Sequence, residues 1–266
     1  MSIITRKNGT LEYLVAENIA APHAFTTRFG GVSTGEFASM NISLRPGEKR
    51  ENVEKNLQIL ASALNFDVEK LICTHQIHSG IVRAVTDADY LGLDHHDYPE
   101  CDALVTATPG VALRIFTADC TPILLHDPVT GAVGAAHAGW RGTAADIAGK
   151  TVRAMAENFG AKPENIRAAI GPNIGQCCFQ TDAEVPEAMV SALGNVAEKY
   201  IRKENEKYYV NLKAMNGEFL RRSGVVHMEI SEDCTKCQSH RFWSHRITGN
   251  QRGSQGAIIV CKGVRP

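Results

Sequence analysis

The chain has 266 residues, of which 44% are hydrophobic and 21% are charged. This is the composition of a globular protein, and it excludes a disordered or fibrous chain. Because 28 basic residues are balanced by 29 acidic ones, the chain has no broad basic field, and we expect no nucleic-acid partner.

The predicted elements alternate between strands and helices, without a repeat or a long linker. Helices are predicted where apolar residues recur at a period near 3.6, and strands where short apolar runs are bounded by turn residues. In chain order the elements are a helix at residues 51–65, strands at 81–85, 103–106, 112–116, 122–126 and 132–137, a helix at 143–159, a strand at 167–170, helices at 183–193 and 211–222, and strands at 225–230 and 257–261. This order predicts a single α/β (α+β) domain over residues 1–266, with mixed β-sheets flanked by helices.

Two further features concern the cellular setting. No apolar run reaches the roughly 20 residues that a membrane-spanning helix needs, and the N-terminus shows no secretory signal. We therefore expect a cytoplasmic protein with no membrane partner. The eight cysteines are too sparse for a disulfide scaffold, so their thiols are available for metals or catalysis.

The strands at 122–126 and 132–137 are separated by residues 127–131 (DPVTG), which have the composition of a turn. They should therefore form an antiparallel hairpin. If His126 pairs with Ala132, then Cys120 and His137 lie in adjacent pairs at the open end of the hairpin. The hairpin brings these two side chains close together, and a register error of one residue would not separate them.

A cysteine beside a histidine indicates either a zinc site or a Cys–His nucleophile pair, and the residues alone also allow a buried pair without chemistry. The next segment, residues 139–142 (GWRG), leads into the predicted helix, with Thr143 as its N-cap and Gly160 after its end. The N–H groups at that N-terminus, together with Arg141, favour a phosphate or carboxylate site beside the cysteine and histidine.

Two other segments carry candidate ligands. In residues 73–78 (CTHQIH), His75 and His78 precede a predicted strand, so we expect only one of them to reach the site. A third ligand there would complete a zinc centre of the catalytic type, which keeps its fourth position open. Arg28 lies in a glycine-rich loop, which either surrounds a polar ligand or is a plain turn, and the plain turn is favoured from that segment alone.

Cys234 and Cys237 form a CxxC motif with His240 nearby, which resembles half of a structural zinc site. A structural site needs four ligands, and the sequence has no second CxxC. The vicinal pair Cys177-Cys178 is poorly suited to chelation. A second, structural metal is therefore the less favoured interpretation, and the role of these cysteines stays open.

Taken together, these motifs resemble those of the YfiH-like family, also called the laccase-domain family, whose members are variously described as polyphenol oxidases or purine nucleoside phosphorylases. The resemblance extends from about residue 25 to residue 260. It is carried by residues 28–33 (RFGGVS), Asn41, residues 76–78 (QIH), 118–120 (ADC), 136–142 (AHAGWRG) and 170–175 (IGPNIG), and by Cys234, Thr235, Phe242, Ser244 and Arg246.

The resemblance implies a YfiH-like fold and a zinc ion bound by His78, Cys120 and His137. It also implies phosphorolysis of purine nucleosides and deamination of adenosine, with a nucleoside and phosphate as the small-molecule partners. The hairpin argument independently supports two of the three ligands. The usual deaminase signature, H-x-E followed by P-C-x-x-C, is absent, so the zinc assignment is firmer than the reaction.

Within these motifs we assign roles to further residues. We predict that Cys120, Asp119 and Arg28 are catalytic. We predict that Arg28, Asn41 and Arg141 bind substrate and phosphate, since phosphorolysis needs an anion site.

Copper-dependent polyphenol oxidation is one alternative. Multicopper sites use many histidines, mostly in HxH pairs, whereas this chain has ten histidines and no HxH. Copper binding at a Cys/His site is nevertheless possible, because copper binds most nitrogen and sulfur ligands more tightly than zinc does.

A metal-free Cys–His amidase is a second alternative, with Cys120 as the nucleophile, His137 as the base and a peptidoglycan precursor as a candidate substrate. A binding module with a structural zinc ion is a third. An open fourth ligand position disfavours that last interpretation.

Overall fold

The strands belong mostly to two six-stranded sheets. The structure is a computed structural model, and it describes residues 2–264. The strands are β1 (Ile3–Asn8), β2 (Leu11–Ala16), β3 (His23–Thr26), β4 (Leu71–Cys73), β5 (Val82–Ala84), β6 (Ala103–Thr106), β7 (Ala112–Thr117), β8 (Thr121–His126), β9 (Val133–Ala138), β10 (Arg167–Ile170), β11 (Gln180–Thr181), β12 (Ile201–Glu204), β13 (Lys207–Val210), β14 (His227–Ile230) and β15 (Gln255–Val260).

The α-helices are α1 (Arg50–Leu64), α2 (Trp140–Ala144), α3 (Ile147–Phe159), α4 (Glu184–Leu193), α5 (Leu212–Arg222) and α6 (His245–Thr248). Short 3-10 helices cover Gly35–Phe37, Val68–Lys70, Asp87–Asp89, His95–Asp97 and Gly194–Tyr200. Among the described residues, none of the helices combines the length and the apolar character needed to cross a bilayer.

The two large sheets pack face to face. The first has the order β1-β2-β3-β15-β7-β4 and the second the order β14-β10-β8-β9-β6-β5, while β11, β13 and β12 form a small third sheet. Strands β7 and β15 contact β8 and β9 across the interface, and α3 covers the far side of β9 and β6. Parallel pairs (β4 with β7, β5 with β6, β10 with β14) occur beside antiparallel ones, which confirms the predicted mixed α/β architecture.

The strands at the centre are buried along their whole length. Every residue of β7, β8, β9 and β15 is buried, because each of these strands lies between two packed layers. His137 lies in β9 and Cys120 directly precedes β8, so two of the candidate ligands are held by fully buried strands.

The hairpin of β8 and β9 is present, with a register one residue from the predicted one. His126 pairs with Val133 and Pro122 pairs with His137. The reason is that Ala132 belongs to the turn, where its carbonyl accepts a hydrogen bond from the Asp127 N–H at 2.9 Å. As expected, this shift leaves Cys120 and His137 close together.

The single helix predicted at residues 143–159 was wrong, because the structure has two helices there. Asp146 adopts a left-handed conformation (φ 55°), which breaks the helix, and its carboxylate accepts a hydrogen bond from the Gly149 N–H at 2.9 Å as the N-cap of α3. Thr143 instead lies buried inside α2 and accepts a hydrogen bond from Asn216. The other predicted helices and all eight predicted strands are confirmed, with ends shifted by a few residues.

Candidate metal centre and substrate cavity

Three predicted ligands meet at the open end of the central hairpin. The ligand atoms of His78, Cys120 and His137 all lie within 4.8 Å of one another. His137 is buried in β9, Cys120 immediately precedes β8, and His78 lies in the loop after β4 with a left-handed backbone (φ 62°). The rings of the two histidines are 4.9 Å apart and nearly perpendicular.

Gly139 makes room for this group. A Cβ atom at position 139 would lie 2.5 Å from Nδ1 of His78 and 3.3 Å from Sγ of Cys120. Any larger residue would therefore displace a candidate ligand. This explains why a glycine follows the hairpin at this point.

Asp102 organises the centre, and sequence reasoning missed it. Its carboxylate accepts hydrogen bonds from Nδ1 of His137 at 2.8 Å, from the His78 N–H at 3.0 Å and from the hydroxyl of Ser79 at 2.7 Å. Because Nδ1 of His137 donates to Asp102, the other ring nitrogen is free to face Cys120. Carboxylates commonly orient metal-binding histidines in this way.

The charges in this group stabilise one another. Burial alone would raise the pKa of Asp102, but the hydrogen bond and charge of His137 lower it to about 2. Burial would likewise lower the pKa of His137, but Cys120 and Asp102 raise it to about 9. In the metal-free chain His137 therefore carries a proton at neutral pH, and a metal ion would displace that proton.

The donor set suits zinc. Two imidazoles and one thiolate are preferred zinc ligands, and three protein ligands leave the open fourth position that is typical of catalytic sites. His75 does not join this group, since its ring packs against His95 and His96 at 6.1 and 5.1 Å. Only one histidine of the 73–78 segment therefore reaches the centre, as expected.

Asp119 anchors the loop beside Cys120. It has a left-handed backbone (φ 87°), and its carboxylate accepts hydrogen bonds from the Thr235 hydroxyl at 2.5 Å, the Ser244 hydroxyl at 3.0 Å and the Arg246 N–H at 2.7 Å. Although Asp119 lines the cavity, its carboxylate is committed to these bonds. This geometry favours a positioning role for Asp119 beside Cys120, and the catalytic role stays a prediction.

The structure does not bring Arg28 and Asn41 to the site. The guanidinium of Arg28 donates to the carbonyls of Ala38 and Ser239, at 3.0 to 3.1 Å. Asn41 is buried, donates to Glu48 and accepts a hydrogen bond from the Ser254 N–H. These hydrogen bonds tie the glycine-rich segment to neighbouring loops, and neither side chain lines the two cavities over the candidate centre.

A cavity of about 620 Å³ is lined by His78 and Cys120, and an adjoining one of about 190 Å³ is lined by all three candidate ligands. One wall of the larger cavity is apolar and consists of Ile77, Trp140, Ile174, Phe179 and Leu212. The polar part of the lining includes four arginines and one histidine, which are Arg45, Arg141, Arg246, Arg252 and His245. Of the predicted anion ligands, only Arg141 lies here, where it stacks on Trp140 at 4.1 Å.

Arg45 and Arg252 are the least exposed arginines of the cavity, and they line both the larger and the smaller cavity. Burial, with the charge of Arg45, lowers the pKa of Arg252 to about 10. Burial also lowers the pKa of Arg45, whose Nε is buried without a hydrogen-bond partner. Two like charges held together at partly buried positions would attract an anion. Sequence reasoning missed both, because arginines within RPG and QRG turns look like ordinary surface residues.

The fold and the cavity together define a mixed α/β protein with a candidate centre of two imidazoles and one thiol. The chain belongs to the family described as multi-copper polyphenol oxidoreductase laccase, which matches residues 22–262.

Individual relatives agree with this assignment. The chain is 39% identical over 250 residues to a purine nucleoside phosphorylase of Deinococcus radiodurans, covering 94% of this chain and 92% of that protein. It is 34% identical to adenosine deaminase RL5 from an unknown prokaryotic organism, covering 90% of this chain and 93% of that protein. The crystal structure of Bacillus licheniformis hypothetical protein YfiH is similar with a TM-score of 0.89 and 30% identity, covering 98% of this chain and 99% of that one. The predicted YfiH-like fold is confirmed.

Proposed function

We propose that this chain is a zinc-dependent enzyme that cleaves purine nucleosides with phosphate and deaminates adenosine. One observation carries the proposal. The group of His78, Cys120 and His137 lines the same cavity as Arg45 and Arg252, so a bound metal and a bound anion would face one substrate. The relatives described as a purine nucleoside phosphorylase and an adenosine deaminase support the same reactions.

The cavity suits a nucleoside in size and character. Its volume of about 620 Å³ lies within the range of small-molecule sites. Trp140, Phe179 and Ile77 offer apolar surface on which a flat purine ring can stack. The base would lie against this wall, with its sugar directed toward the arginines.

Phosphorolysis requires phosphate next to the anomeric carbon of the sugar. An oxygen of phosphate forms a bond to C1′ while the bond between C1′ and the purine nitrogen breaks, and the base leaves with the bonding electrons and gains a proton. In our proposal Arg45 and Arg252 hold the phosphate, because their guanidinium groups match its oxygens and offset its charge. Their fixed positions orient the attacking oxygen.

Zinc, when bound by His78, Cys120 and His137, would supply a Lewis acid at the open position. Asp102 keeps the ring of His137 oriented and holds the loop of His78, so the three ligands are arranged before a metal arrives. Asp119 fixes the backbone of Cys120 in the same way. In the deamination reaction, water adds to C6 of adenine and ammonia leaves from the same carbon.

A metal-free amidase is the second candidate function. Cys120, His137 and Asp102 lie in the order of nucleophile, base and orienting carboxylate that thiol hydrolases use. The thiol lies within 4.8 Å of the imidazole, and the imidazole donates to the carboxylate at 2.8 Å. Such an enzyme would cleave an amide, with a peptidoglycan precursor as its candidate substrate. Metal removal separates the two functions, because it would activate the amidase and inactivate the zinc enzyme.

We also propose a cytoplasmic location. All eight cysteines are free thiols, which a reducing compartment maintains.

The reaction is tested by product analysis on protein of known metal content. The purified chain is incubated with inosine or adenosine, with and without phosphate, and the products are separated by chromatography. The proposal predicts free hypoxanthine only when phosphate is present, and inosine from adenosine regardless of phosphate. Zinc-loaded protein that converts neither nucleoside would contradict it.

A further inference from the structure

Four cysteines converge away from the nucleoside cavity. The Sγ atoms of Cys177, Cys178, Cys234 and Cys237, here called the thiol cluster, all lie within 4.8 Å of one another. Cys177 and Cys178 belong to the loop after β10, whereas Cys234 and Cys237 belong to the loop after β14. The parallel pairing of β10 with β14 brings the two loops to the same edge of the sheet.

The spacing within the thiol cluster matches one tetrahedral metal ion. Zinc binds thiolates at about 2.3 Å, so two sulfur ligands of a tetrahedral site lie about 3.8 Å apart. Sγ of Cys237 lies 3.7 Å from that of Cys177 and 3.4 Å from that of Cys178. A disulfide needs about 2.05 Å between sulfurs, and an iron–sulfur cluster separates its thiolates more widely because the cluster lies between them.

A hydrogen bond and a nearby ammonium group favour negative charge on the thiol cluster. Sγ of Cys234 accepts a hydrogen bond from the Gly175 N–H at 3.2 Å. The buried ammonium of Lys213 donates to the carbonyls of Ser231 and Asp233, at 2.7 and 2.6 Å. Asp233 directly precedes Cys234, so this ammonium lies beside the thiol cluster. Four thiolates around a divalent ion carry a net charge of −2, which this ammonium would partly offset.

We propose that Cys177, Cys178, Cys234 and Cys237 bind a second zinc ion, which is structural. Binding converts each thiol to a thiolate and releases its proton to water. Four protein ligands fill the coordination shell, so no position is left for a substrate.

This ion would stabilise one wall of the nucleoside cavity. Thr235 lies between the two cysteines of the CxxC turn, and its hydroxyl donates to Asp119, the neighbour of Cys120. The Thr235 N–H also donates to the carbonyl of Asn173 at 2.9 Å, and the side chain of Asn173 donates to Thr121 at 2.6 Å. A metal in the thiol cluster would thus tie together the two loops that position Asp119.

The test uses the full chain carrying Cys120→Ala, which removes one ligand of the other centre. The protein is expressed with added zinc, purified with a reductant and analysed for metal by mass spectrometry. We expect one zinc ion per chain in Cys120→Ala and none after Cys237→Ser is added. Lys236→Ala lies in the same turn without being a ligand, and it should retain the zinc.

Cobalt titration of Cys120→Ala provides a second measurement that does not depend on how the double variant folds. One cobalt ion per chain with intense thiolate-to-cobalt charge-transfer bands supports a site of four thiolates. Reduced Cys120→Ala protein that binds neither metal overturns the proposal. Unchanged zinc in the Cys237→Ser double variant, or a Cys178–Cys237 disulfide in the protein as isolated, overturns it as well. In Cys120→Ala the other centre lacks its thiolate ligand. Metal binding by the thiol cluster is therefore measured whether or not the proposed nucleoside reaction is correct.

Discussion

Nδ1 of His137 donates a hydrogen bond of 2.8 Å to the carboxylate of Asp102. The same carboxylate accepts the backbone N–H of His78, so one side chain orients two of the three candidate ligands. Asp102 is fully buried, and no water can replace these bonds if its charge is removed. Asp102 therefore fixes the geometry of the candidate metal centre.

Asp102→Asn should weaken metal binding. The amide can still accept one hydrogen bond, but it lacks the charge that orients His137 and it adds N–H groups facing the N–H donors of the 77–79 loop. We expect the zinc affinity to fall by about 10- to 100-fold, which is typical for residues that orient metal ligands. Competition with a chromogenic chelator measures this change. Asp97→Asn, in an exposed 3-10 helix, is the matched control, and equal zinc affinity in the two variants would contradict the account.

Arg252→Met should separate the two nucleoside reactions. Loss of a charged hydrogen bond of about 1.5–3 kcal/mol should raise the KM for phosphate by roughly 10- to 100-fold. Deamination of adenosine uses water and not phosphate, so its rate should change little. Steady-state kinetics with varied phosphate measure the difference.

Arg28→Met is the control for this experiment. Its guanidinium binds the carbonyls of Ala38 and Ser239 outside the cavity, so we expect lower stability without a selective effect on phosphate. A selective rise in the phosphate KM for Arg28→Met, with none for Arg252→Met, would contradict the account. It would instead support Arg28 as the phosphate ligand, as the sequence predicts.

His23 should make the fold sensitive to acid. It is buried, its Nε2 accepts the Ala16 N–H at 2.8 Å, and burial lowers its pKa from 6.5 to about 4. The unfolded chain therefore binds more protons below pH 6.5, and the free energy of unfolding falls as the pH drops from 6.5 toward 4. At pH 5 this loss is about 2 kcal/mol relative to pH 7.

Urea unfolding at pH 7 and pH 5 tests the contribution of His23. His23→Gln removes the titrating group, so its stability should fall by about 2 kcal/mol less than that of the wild type over this interval. His227→Gln, at an exposed position, should behave like the wild type. The same acid-induced loss in all three proteins would refute this role of His23.

The sequence was informative where apolar patterning and turn chemistry act locally. The hairpin of β8 and β9 follows from two buried strands around a DPVTG turn, and it placed Cys120 beside His137 even though the register differed by one residue. Strand β1 was missed because it is mostly exposed and polar, and its conformation is fixed by pairing with β2. The break at Asp146 was missed because a left-handed aspartate within a helical pattern has no periodic signal.

The candidate site was predictable only where its residues are close in sequence or carry a family motif. Asp102 reaches His137 across paired strands, and a lone aspartate before a strand gives no sign of this. Arg45 and Arg252 meet only because loops from the two ends of the chain close over the cavity. A structural metal was disfavoured from the sequence for the same reason. The pairing of β10 with β14 brings Cys177 and Cys178 to the CxxC turn, and they supply the two ligands that the motif lacks.

Removal and return of the metal tests the central claim most directly. The chain is treated with a chelator until mass spectrometry finds no bound zinc, and phosphate-dependent cleavage of inosine is measured before and after zinc or copper is added. The account predicts that cleavage is lost with the metal, returns with zinc, and is absent from zinc-treated Cys120→Ala. Full inosine cleavage by the metal-free chain, or by Cys120→Ala, would contradict it.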